Sequence, residues 1–393
     1  MVGDESGSVE GRAGVTPIGH TGGVSAIQAA YDRSAMTADL ESLVCVESPS
    51  RDLSALTASA DVLVGIMERR LGTAGRLVPG EAGPHVWWQG GGEPRVLLVG
   101  HHDTVFPLGT LERRPFQVDG DVATGPGVFD MKAGIVQAIH AVASLGDRSG
   151  IEILITADEE VGSATSRDLI VERAQACGAV LVLEPSADGG ALKTARKGTG
   201  TFEILIHGRA AHAGLEPEKG INALVEAAAQ ILVIDRLGAP EQGTTVTPTL
   251  ATVGTADNVV PALARIVVDT RVVRADERDR VDTALRSLHP VHPEATIEVR
   301  GGFNRPPMPP QSSEWLFPLA QAAAEAAHLG VLEGVAVGGG SDGNFTAAAG
   351  VATLDGLGAV GGGAHADSEW VNVAAMPGRA LLLAGVMTRL QSR

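Results

Sequence analysis

The amino-acid sequence predicts an α/β fold with a mostly parallel central sheet and an inserted ferredoxin-like α+β domain. Apolar strand patterns alternate with helical patterns from about residue 95 to about 184, which is typical of a parallel α/β layer. From about 200 to about 303 the predicted order becomes β-α-β-β-α-β, the split arrangement of ferredoxin-like domains. A chain of 393 residues is long enough to build two such cores.

The elements of the first layer are predicted from apolar runs and from the residues that end them. Short apolar runs predict buried strands at 95–99, 151–157, 179–183 and 351–354. Between the first two, Ile135, Ile139, Val142 and Leu145 recur at helical spacing, and the helix is expected to stop at Gly146. A further helix is expected at about 312–328, where the first layer resumes after the insertion.

The inserted segment contains four predicted strands and two predicted helices. The strands are expected at 201–207, about 246–254, about 263–272 and about 295–301. The helices are expected at about 220–236 and about 276–289. This order predicts an antiparallel sheet covered by two helices.

Histidine and carboxylate side chains follow several of the predicted strands. Because the ends of parallel strands share one edge of an open α/β sheet, we expect these side chains to lie together. They are His101, Asp130, Glu160, Glu184 and His365. Two histidines and three carboxylates form a mixed N/O ligand set that suits Zn(II), with Co(II) or Mn(II) as alternatives. Asp103 lies on the same strand face as His101, where a carboxylate commonly orients a ligating histidine.

The motifs that carry these residues occur in a fixed order from about residue 36 to the C-terminus. They are His-x-Asp, Gly-Pro-Gly-x-x-Asp-x-Lys, Asp-Glu-Glu, Glu-Pro and a late Gly-x-x-His. This series resembles the zinc exopeptidase and deacylase family of glutamate carboxypeptidase, succinyl-diaminopimelate desuccinylase, acetylornithine deacetylase and the aminoacylases. The chain is most similar to glutamate carboxypeptidase, through His-x-Asp-Thr-Val, the Gly-Pro-Gly turn and Gly-Gly-Gly-Ser-Asp at 338–342.

The resemblance implies a division of labour among these residues. Asp130 would bridge two Zn(II) ions, with His101 and Glu184 completing one site and Glu160 and His365 the other. Glu159 would be the general base that takes a proton from the attacking water and later returns it to the leaving amine. The resemblance also implies a zinc-exopeptidase-like catalytic domain at 24–197 and 304–393, with a lid or dimerisation domain at 198–303.

The lid is expected to contribute a histidine to the active site. His212, in the segment Gly208-Arg-Ala-Ala-His212-Ala-Gly-Leu-Glu-Pro217, resembles a lid histidine that donates to the substrate carbonyl oxygen as negative charge builds on it. In several relatives this histidine comes from the partner subunit. A homodimer is therefore expected. A turn histidine in solvent is the alternative.

The residues that hold the substrate are less clearly defined. Asn258 and Arg271 resemble lid residues that bind a free carboxylate, a task that the planar fork of arginine suits. Arg305 falls at the hinge where glutamate-preferring relatives also have an arginine, although Asn-Arg-Pro-Pro-Met departs from their order, and Lys193 aligns only with a one-residue shift. Gly339 and Gly340, with Ser341, offer main-chain N–H groups to an anion, or form a glycine-rich hinge without a ligand role.

Composition argues against some classes of binding partner and indicates a cellular compartment. The net charge of −17 argues against binding to nucleic acid or to an anionic membrane, because both require basic surfaces. Residues 1–23 are expected to be a flexible N-terminal extension without the apolar region of a signal peptide, and a cytoplasmic location follows. Cys45 and Cys177 are expected to be reduced core residues.

The sequence therefore predicts a dinuclear zinc hydrolase that cleaves an amide bond next to a free carboxylate. Its small-molecule substrate would be an N-acyl amino acid or a dipeptide-like acyl-glutamate. A biosynthetic deacylase or a dipeptidase is the alternative within the family. A catalytically silent, metal-binding scaffold protein is the alternative from another class, and the intact Glu159 and ligand set weigh against it.

Overall fold

The computed structural model describes residues 31–392, so the extension predicted at 1–23 lies outside the described residues. Within these residues, the strands form three sheets of four or six strands and two small ribbons. In chain order the strands are β1 (Arg76–Val78), β2 (His85–Gln89), β3 (Val96–His101), β4 (Gln117–Asp119), β5 (Val122–Thr124), β6 (Ile151–Thr156), β7 (Ala179–Val182), β8 (Leu192–Arg196), β9 (Gly198–His207), β10 (Ala211–His212), β11 (Thr245–Val253), β12 (Val259–Val260), β13 (Leu263–Val272), β14 (Thr296–Arg305), β15 (Gly334–Val337), β16 (Ala352–Leu354), β17 (Gly361–Gly362) and β18 (Trp370–Asn372).

The α-helices cover the sheets and connect their strands. In chain order they are α1 (Arg33–Val44), α2 (Leu53–Leu71), α3 (Thr110–Arg113), α4 (Ala133–Ala143), α5 (Arg167–Cys177), α6 (Ala223–Asp235), α7 (Ala275–Arg286), α8 (Leu316–Ala326), α9 (Gly343–Ala348) and α10 (Met376–Gln391). Within the described part of the chain, none of them has the combination of length and hydrophobicity that crossing a bilayer requires.

The central sheet has the strand order β1-β2-β6-β3-β7-β16. Strands β6, β3, β7 and β16 run parallel, whereas β1 and β2 add an antiparallel edge. Both faces are covered, because Leu98 and Ile153 pack into the core formed with α1, α2, α4, α8 and α10, while Leu97 and Val99 pack on the side of α5. The predicted mostly parallel sheet is confirmed.

The lid, which we define as β9 to β14 with α6 and α7, has the strand order β11-β13-β9-β14. All three pairings are antiparallel, and Phe202, Ile204 and Ile206 of β9 lie in a core shared with both helices. The predicted β-α-β-β-α-β order is therefore confirmed, with the short ribbon of β10 and β12 as an addition. The expectation for the cysteines holds for Cys177, which is buried, but is wrong for Cys45, which is exposed just after α1.

Candidate metal centre

Three neighbouring strands of the central sheet deliver side chains to one edge. His101 is the last residue of β3, Glu159 and Glu160 follow β6, and Glu184 comes two residues after β7. Because these strands run parallel in the order β6-β3-β7, their carboxyl ends meet at the same edge. The edge predicted from the sequence is the edge at which these side chains lie.

Two loops bring the remaining predicted ligands to this edge. Asp130 lies in a turn at 128–132 that leads into α4, and His365 lies in the loop between β17 and β18. His101 Nε2 lies 3.3 Å from Asp130 Oδ1 and 3.6 Å from Glu184 Oε1. His365 Nε2 lies 3.3 Å from Asp130 Oδ2 and 3.1 Å from Glu160 Oε2. The two carboxylate oxygens of Asp130 thus face one histidine each, and the five predicted ligands form one cluster.

The donor atoms of this cluster fit a metal site. Among the described residues, no hydrogen-bond partner reaches the buried atoms His101 Nε2, Asp130 Oδ1 and Glu160 Oε1, although such buried polar atoms are nearly always paired. Donor atoms of His101, Asp130 and Glu160 all lie within 4.8 Å of one another, as do those of His101, Glu159 and Glu184. Imidazole and carboxylate donors brought this close together suit a divalent cation such as Zn(II).

Asp103 contacts both His101 and the loop that carries Glu159 and Glu160. The Nδ1 atom of His101 donates to the main-chain oxygen of Asp103 at 3.0 Å, which leaves Nε2 of the ring as the donor atom for a metal. The Asp103 carboxylate, 3.4 Å from the same Nδ1, accepts the N–H groups of Glu159 at 3.1 Å and Glu160 at 3.2 Å. It therefore fixes both the ring of His101 and the loop that carries Glu159 and Glu160.

Arg305, the last residue of β14, holds the side chain of Glu159. Arg305 Nη2 donates to Glu159 Oε1 at 2.5 Å and lies 3.3 Å from Asp342 Oδ1. Burial raises the pKa of Glu159 to about 8, even though the charge of Arg305 opposes this shift. A carboxylate with a pKa near neutrality is suited to accept and return a proton. Arg305 was predicted to bind substrate, and the structure places its guanidinium against the predicted base.

A second buried arginine, Arg196, supports Glu184. Its Nη2 donates to Glu184 Oε2 at 3.2 Å, and its Nε donates to Asp355 Oδ2 at 2.6 Å. Despite its burial, the charges of Asp355 and Glu184 raise the pKa of Arg196 above its usual range. Arg196 Nη1 also donates to the main-chain oxygens of Gly339 and Gly340, each at 3.2 Å. The two predicted anion-binding glycines are thus tied to the cluster through their carbonyl groups.

Lys193, on β8, lies within electrostatic range of the cluster. Asp130 and Glu184 are among the carboxylates that favour its charged form, although burial lowers the pKa of Lys193 overall. Within residues 31–392, no hydrogen bond or ion pair engages its ammonium group, in contrast to the guanidinium groups of Arg196 and Arg305.

The predicted lid residues make other contacts within the lid. His212 is exposed on β10, and Asn258 accepts the N–H of Ala213 at 2.9 Å, so the two stand side by side in the lid. Arg271 pairs with Asp269 of its own strand, with Nη2 2.8 Å from Oδ2. It lies opposite Thr199 of β9, which itself lies opposite Arg305 of β14. In the described residues, no hydrogen bond or ion pair joins His212, Asn258 or Arg271 to the predicted metal ligands.

Four residues of the site were not found from the sequence. They are Arg196, Asp342, Asp355 and Glu369. Two of them had a local signal, since Asp342 belongs to Gly-Gly-Gly-Ser-Asp and Glu369 follows His365 by four residues. Arg196 and Asp355 had none, because their pairing joins positions 159 residues apart.

Comparison with known proteins agrees with this geometry. A family model described as peptidase family M20/M25/M40 matches residues 97–389. Carboxypeptidase G2 from Pseudomonas sp. (strain RS-16) is 33% identical over 382 residues, which cover 92% of this chain and 91% of that protein. A succinyl-diaminopimelate desuccinylase from Halorhodospira halophila is 28% identical and covers 74% of this chain and 82% of its own length.

Solved structures share the fold at lower identity. Aminopeptidase PepT from Bacillus cereus has a TM-score of 0.71 at 20% identity, covering 92% of this chain and 100% of that chain. The M20 family metallo-carboxypeptidase Sso-CP2 from Sulfolobus solfataricus has a TM-score of 0.71 at 15% identity, covering 90% and 98%. At these identities the likeness establishes the architecture.

Proposed function

The chain belongs to peptidase family M20/M25/M40, and from this premise we propose that it cleaves an amide bond next to a free carboxylate. Membership makes it a metal-dependent hydrolase of the exopeptidase and amidohydrolase type. The observation that carries the proposal is the cluster itself, in which unpaired buried donor atoms of His101, Asp130 and Glu160 lie beside the carboxylate of Glu159.

Five side chains would hold two Zn(II) ions, with Co(II) or Mn(II) as alternatives. Asp130 would be shared, His101 and Glu184 would complete one site, and Glu160 and His365 the other. Bound there, the ions would acidify the attacking water and polarise the scissile carbonyl. The orphaned atoms of the cluster support this assignment because each would gain a partner.

Glu159 would act as the general base and then as the general acid. Its carboxylate would accept the proton of the attacking water and pass it to the leaving amine. Arg305 would hold the base in place through the 2.5 Å contact with Oε1, and Asp103 would hold its main chain. The proximity of Glu159 to the side chains proposed as ligands weighs against the catalytically silent alternative.

The free carboxylate of the substrate would be bound by cations and N–H donors around the cluster. Lys193 supports this role, since the charges of Glu184 and Asp130 act on its ammonium group and no hydrogen bond or ion pair of the described residues engages it. Asn258 and Arg271 would reach the substrate from the lid, and Gly339 and Gly340 would offer main-chain N–H groups. Arg305 would contribute less to binding the substrate carboxylate, because its guanidinium already contacts Glu159.

The relatives support the proposed substrate class. Similarity to carboxypeptidase G2 favours an N-acyl amino acid or an acyl-glutamate, and similarity to a desuccinylase keeps a biosynthetic deacylase as the alternative, beside a dipeptidase. The test is hydrolysis of a panel of N-acetyl, benzoyl and folyl amino acids and of dipeptides, with and without chelator. Chelator-sensitive release of the amino acid supports the proposal, and inactivity of the metal-loaded protein on the whole panel would overturn it.

The metal assignment is tested by removing the shared ligand. Asp130→Ala should lose both ions, because each site would lose a ligand, whereas Glu159→Ala should keep both. Elemental analysis of the two purified variants measures this directly. Equal zinc content in the two proteins would contradict the assignment.

We also propose that the protein is a homodimer in which His212 acts on the partner's active site. Exposed apolar side chains on α6 support an interface in the lid: Leu224 is 53%, Val225 65% and Leu232 61% exposed. Within residues 31–392, His212 is exposed and has no hydrogen bond or ion pair with the predicted ligands of its own chain, which supports action in trans. A cytoplasmic location is supported by the two unpaired cysteines.

Mixing two inactive variants tests this arrangement. His212→Ala and Glu159→Gln should each be nearly inactive, and a mixed dimer would contain one site with both defects and one with neither. After brief dissociation and reassembly, random pairing should restore about a quarter of wild-type activity. If tagged mixed dimers form without any recovery, His212 does not act in trans.

A further inference from the structure

Glu369, four residues after His365, has a carboxylate that is fully buried and bound by main-chain groups of a distant loop. Its Oε1 accepts the N–H of Phe129 at 3.0 Å and of Asp130 at 2.9 Å, and its Oε2 accepts the N–H of Gly127 at 2.8 Å. Three hydrogen bonds offset the cost of burying a carboxylate. They also tie the Asp130 turn to the loop that carries His365.

The direction of the Asp130 side chain depends on this turn. Both of its oxygens must face a histidine, at 3.3 Å from His101 and 3.3 Å from His365, so a small rotation of the main chain would misplace one of them. Gly127, just before the turn, has a positive φ of 71°, and a Cβ there would overlap Thr104 Cγ2. The turn is therefore closely confined, and Glu369 bonds to the N–H of Asp130 itself.

The other predicted metal ligands are held by different groups. His101 is fixed by the main-chain oxygen of Asp103, and Glu184 is bound by Arg196 and by the N–H of Gly358, which donates to its main-chain oxygen at 2.8 Å. None of these contacts involves Glu369. Loss of Glu369 would thus disturb Asp130 and His365 while leaving His101 and Glu184 in place.

We propose that Glu369 is a positioning residue that secures the site formed by Asp130, Glu160 and His365 in preference to the site formed by Asp130, His101 and Glu184. The inference rests on the proposed dinuclear function. Two of the three ligands of the first site lie on the segments that Glu369 joins, but only one ligand of the second site does. Removing it should therefore weaken one ion much more than the other.

The test uses Glu369→Gln and a matched control. The glutamine would turn an amide N–H₂ group toward N–H donors and so lose at least one hydrogen bond. Glu47 is the control, because its two oxygens also accept main-chain N–H groups, from Leu111 and Gly109 at 2.8 Å each, at the start of α3, where no predicted ligand lies. Metal-free wild type, Glu369→Gln and Glu47→Gln are titrated calorimetrically with Zn(II) alone, and Co(II) absorption spectra report the geometry of each site.

Wild type and Glu47→Gln should each bind two Zn(II) ions, and the affinities measured for the two proteins should be similar. Glu369→Gln should keep one of them and bind the second about 10–100-fold more weakly, as is usual for loss of a group that orients a metal ligand. If Glu369→Gln binds two ions with wild-type affinity, this inference is overturned but the proposed function is not. Failure of wild type to bind metal would instead overturn the proposed function. If Glu369→Gln does not fold, Glu369→Asp, which keeps the charge but shortens the reach, is titrated against the same criteria.

Discussion

Charged side chains are paired in different ways in the lid and in the rest of the molecule. Around the central sheet, buried pairs join distant positions, such as Arg196 with Asp355, whose side chains are 3% and 0% exposed. In the lid, many pairs join near neighbours on the surface, such as Asp269 with Arg271 and Asp282 with Arg286. The first kind fixes side chains around the predicted metal ligands, whereas the second lies on the surface of the lid.

The difference has an energetic consequence. An exposed ion pair contributes about 0–1 kcal/mol, because solvent screens it and two long side chains must be ordered. Breaking a buried pair leaves an uncompensated charge and costs about 3–5 kcal/mol. Substitutions of the buried pairs should therefore disable or unfold the protein, while equivalent substitutions in the lid should be tolerated.

The largest effect is expected at the buried pair of Glu159 and Arg305. Glu159→Gln keeps the shape of the side chain but removes the proton acceptor, so turnover should fall about 10²–10⁴-fold with little change in KM. Steady-state kinetics of metal-loaded protein measure this, with metal content as the control. Near-normal turnover would mean that the base lies elsewhere.

A large loss of stability is expected when Arg196 is removed. Arg196→Met would leave Asp355 and Glu184 without their guanidinium and should lower the free energy of unfolding by about 3–5 kcal/mol. Arg271→Met in the lid is the matched control, with an expected loss of at most about 1 kcal/mol. Urea denaturation of both variants measures the difference, and similar losses would break the comparison.

An intermediate, pH-dependent effect is expected at Asp39. Burial opposes its charge, but hydrogen bonds from His140 and Arg70 lower the pKa of Asp39 to about 2. Since the folded-state pKa is depressed, the stabilisation is present above about pH 4 and is lost as the pH falls toward 2. Asp39→Asn should cost about 2 kcal/mol at pH 7, and the gap to wild type in denaturation experiments should narrow below pH 4. If the difference in free energy of unfolding between Asp39→Asn and wild type does not change with pH, the loss comes from side-chain packing and not from the charge of Asp39.

The smallest effect is expected at Asp282 in the lid. Its carboxylate is bound by Arg286 one helical turn away at 2.9 Å, and both side chains are partly exposed. Asp282→Asn should change the free energy of unfolding by about 0.5 kcal/mol or less. Thermal melts at low and high salt check this, and a loss comparable to that of Arg196→Met would show that the lid depends on its surface pairs.

The sequence by itself determined the fold class, the order of the elements in the lid and the set of side chains that lie together at the edge of the central sheet. This was possible because strand and helix periods are local, and because parallel strands necessarily bring His101, Glu160 and Glu184 to one edge. Asp130 and His365 were found through glycine-rich turns, which are also local signals.

Only the tertiary structure decided which groups hold those ligands in place. Arg196 pairs with Asp355, Arg305 with Glu159 and Glu369 with the Asp130 turn across 159, 146 and 239 residues. No local pattern specifies such pairs, because burial and charge compensation depend on how separate segments pack. The wrong prediction for Cys45 has the same cause. Its helical pattern predicted a core position, but it lies at the end of α1, where it is exposed.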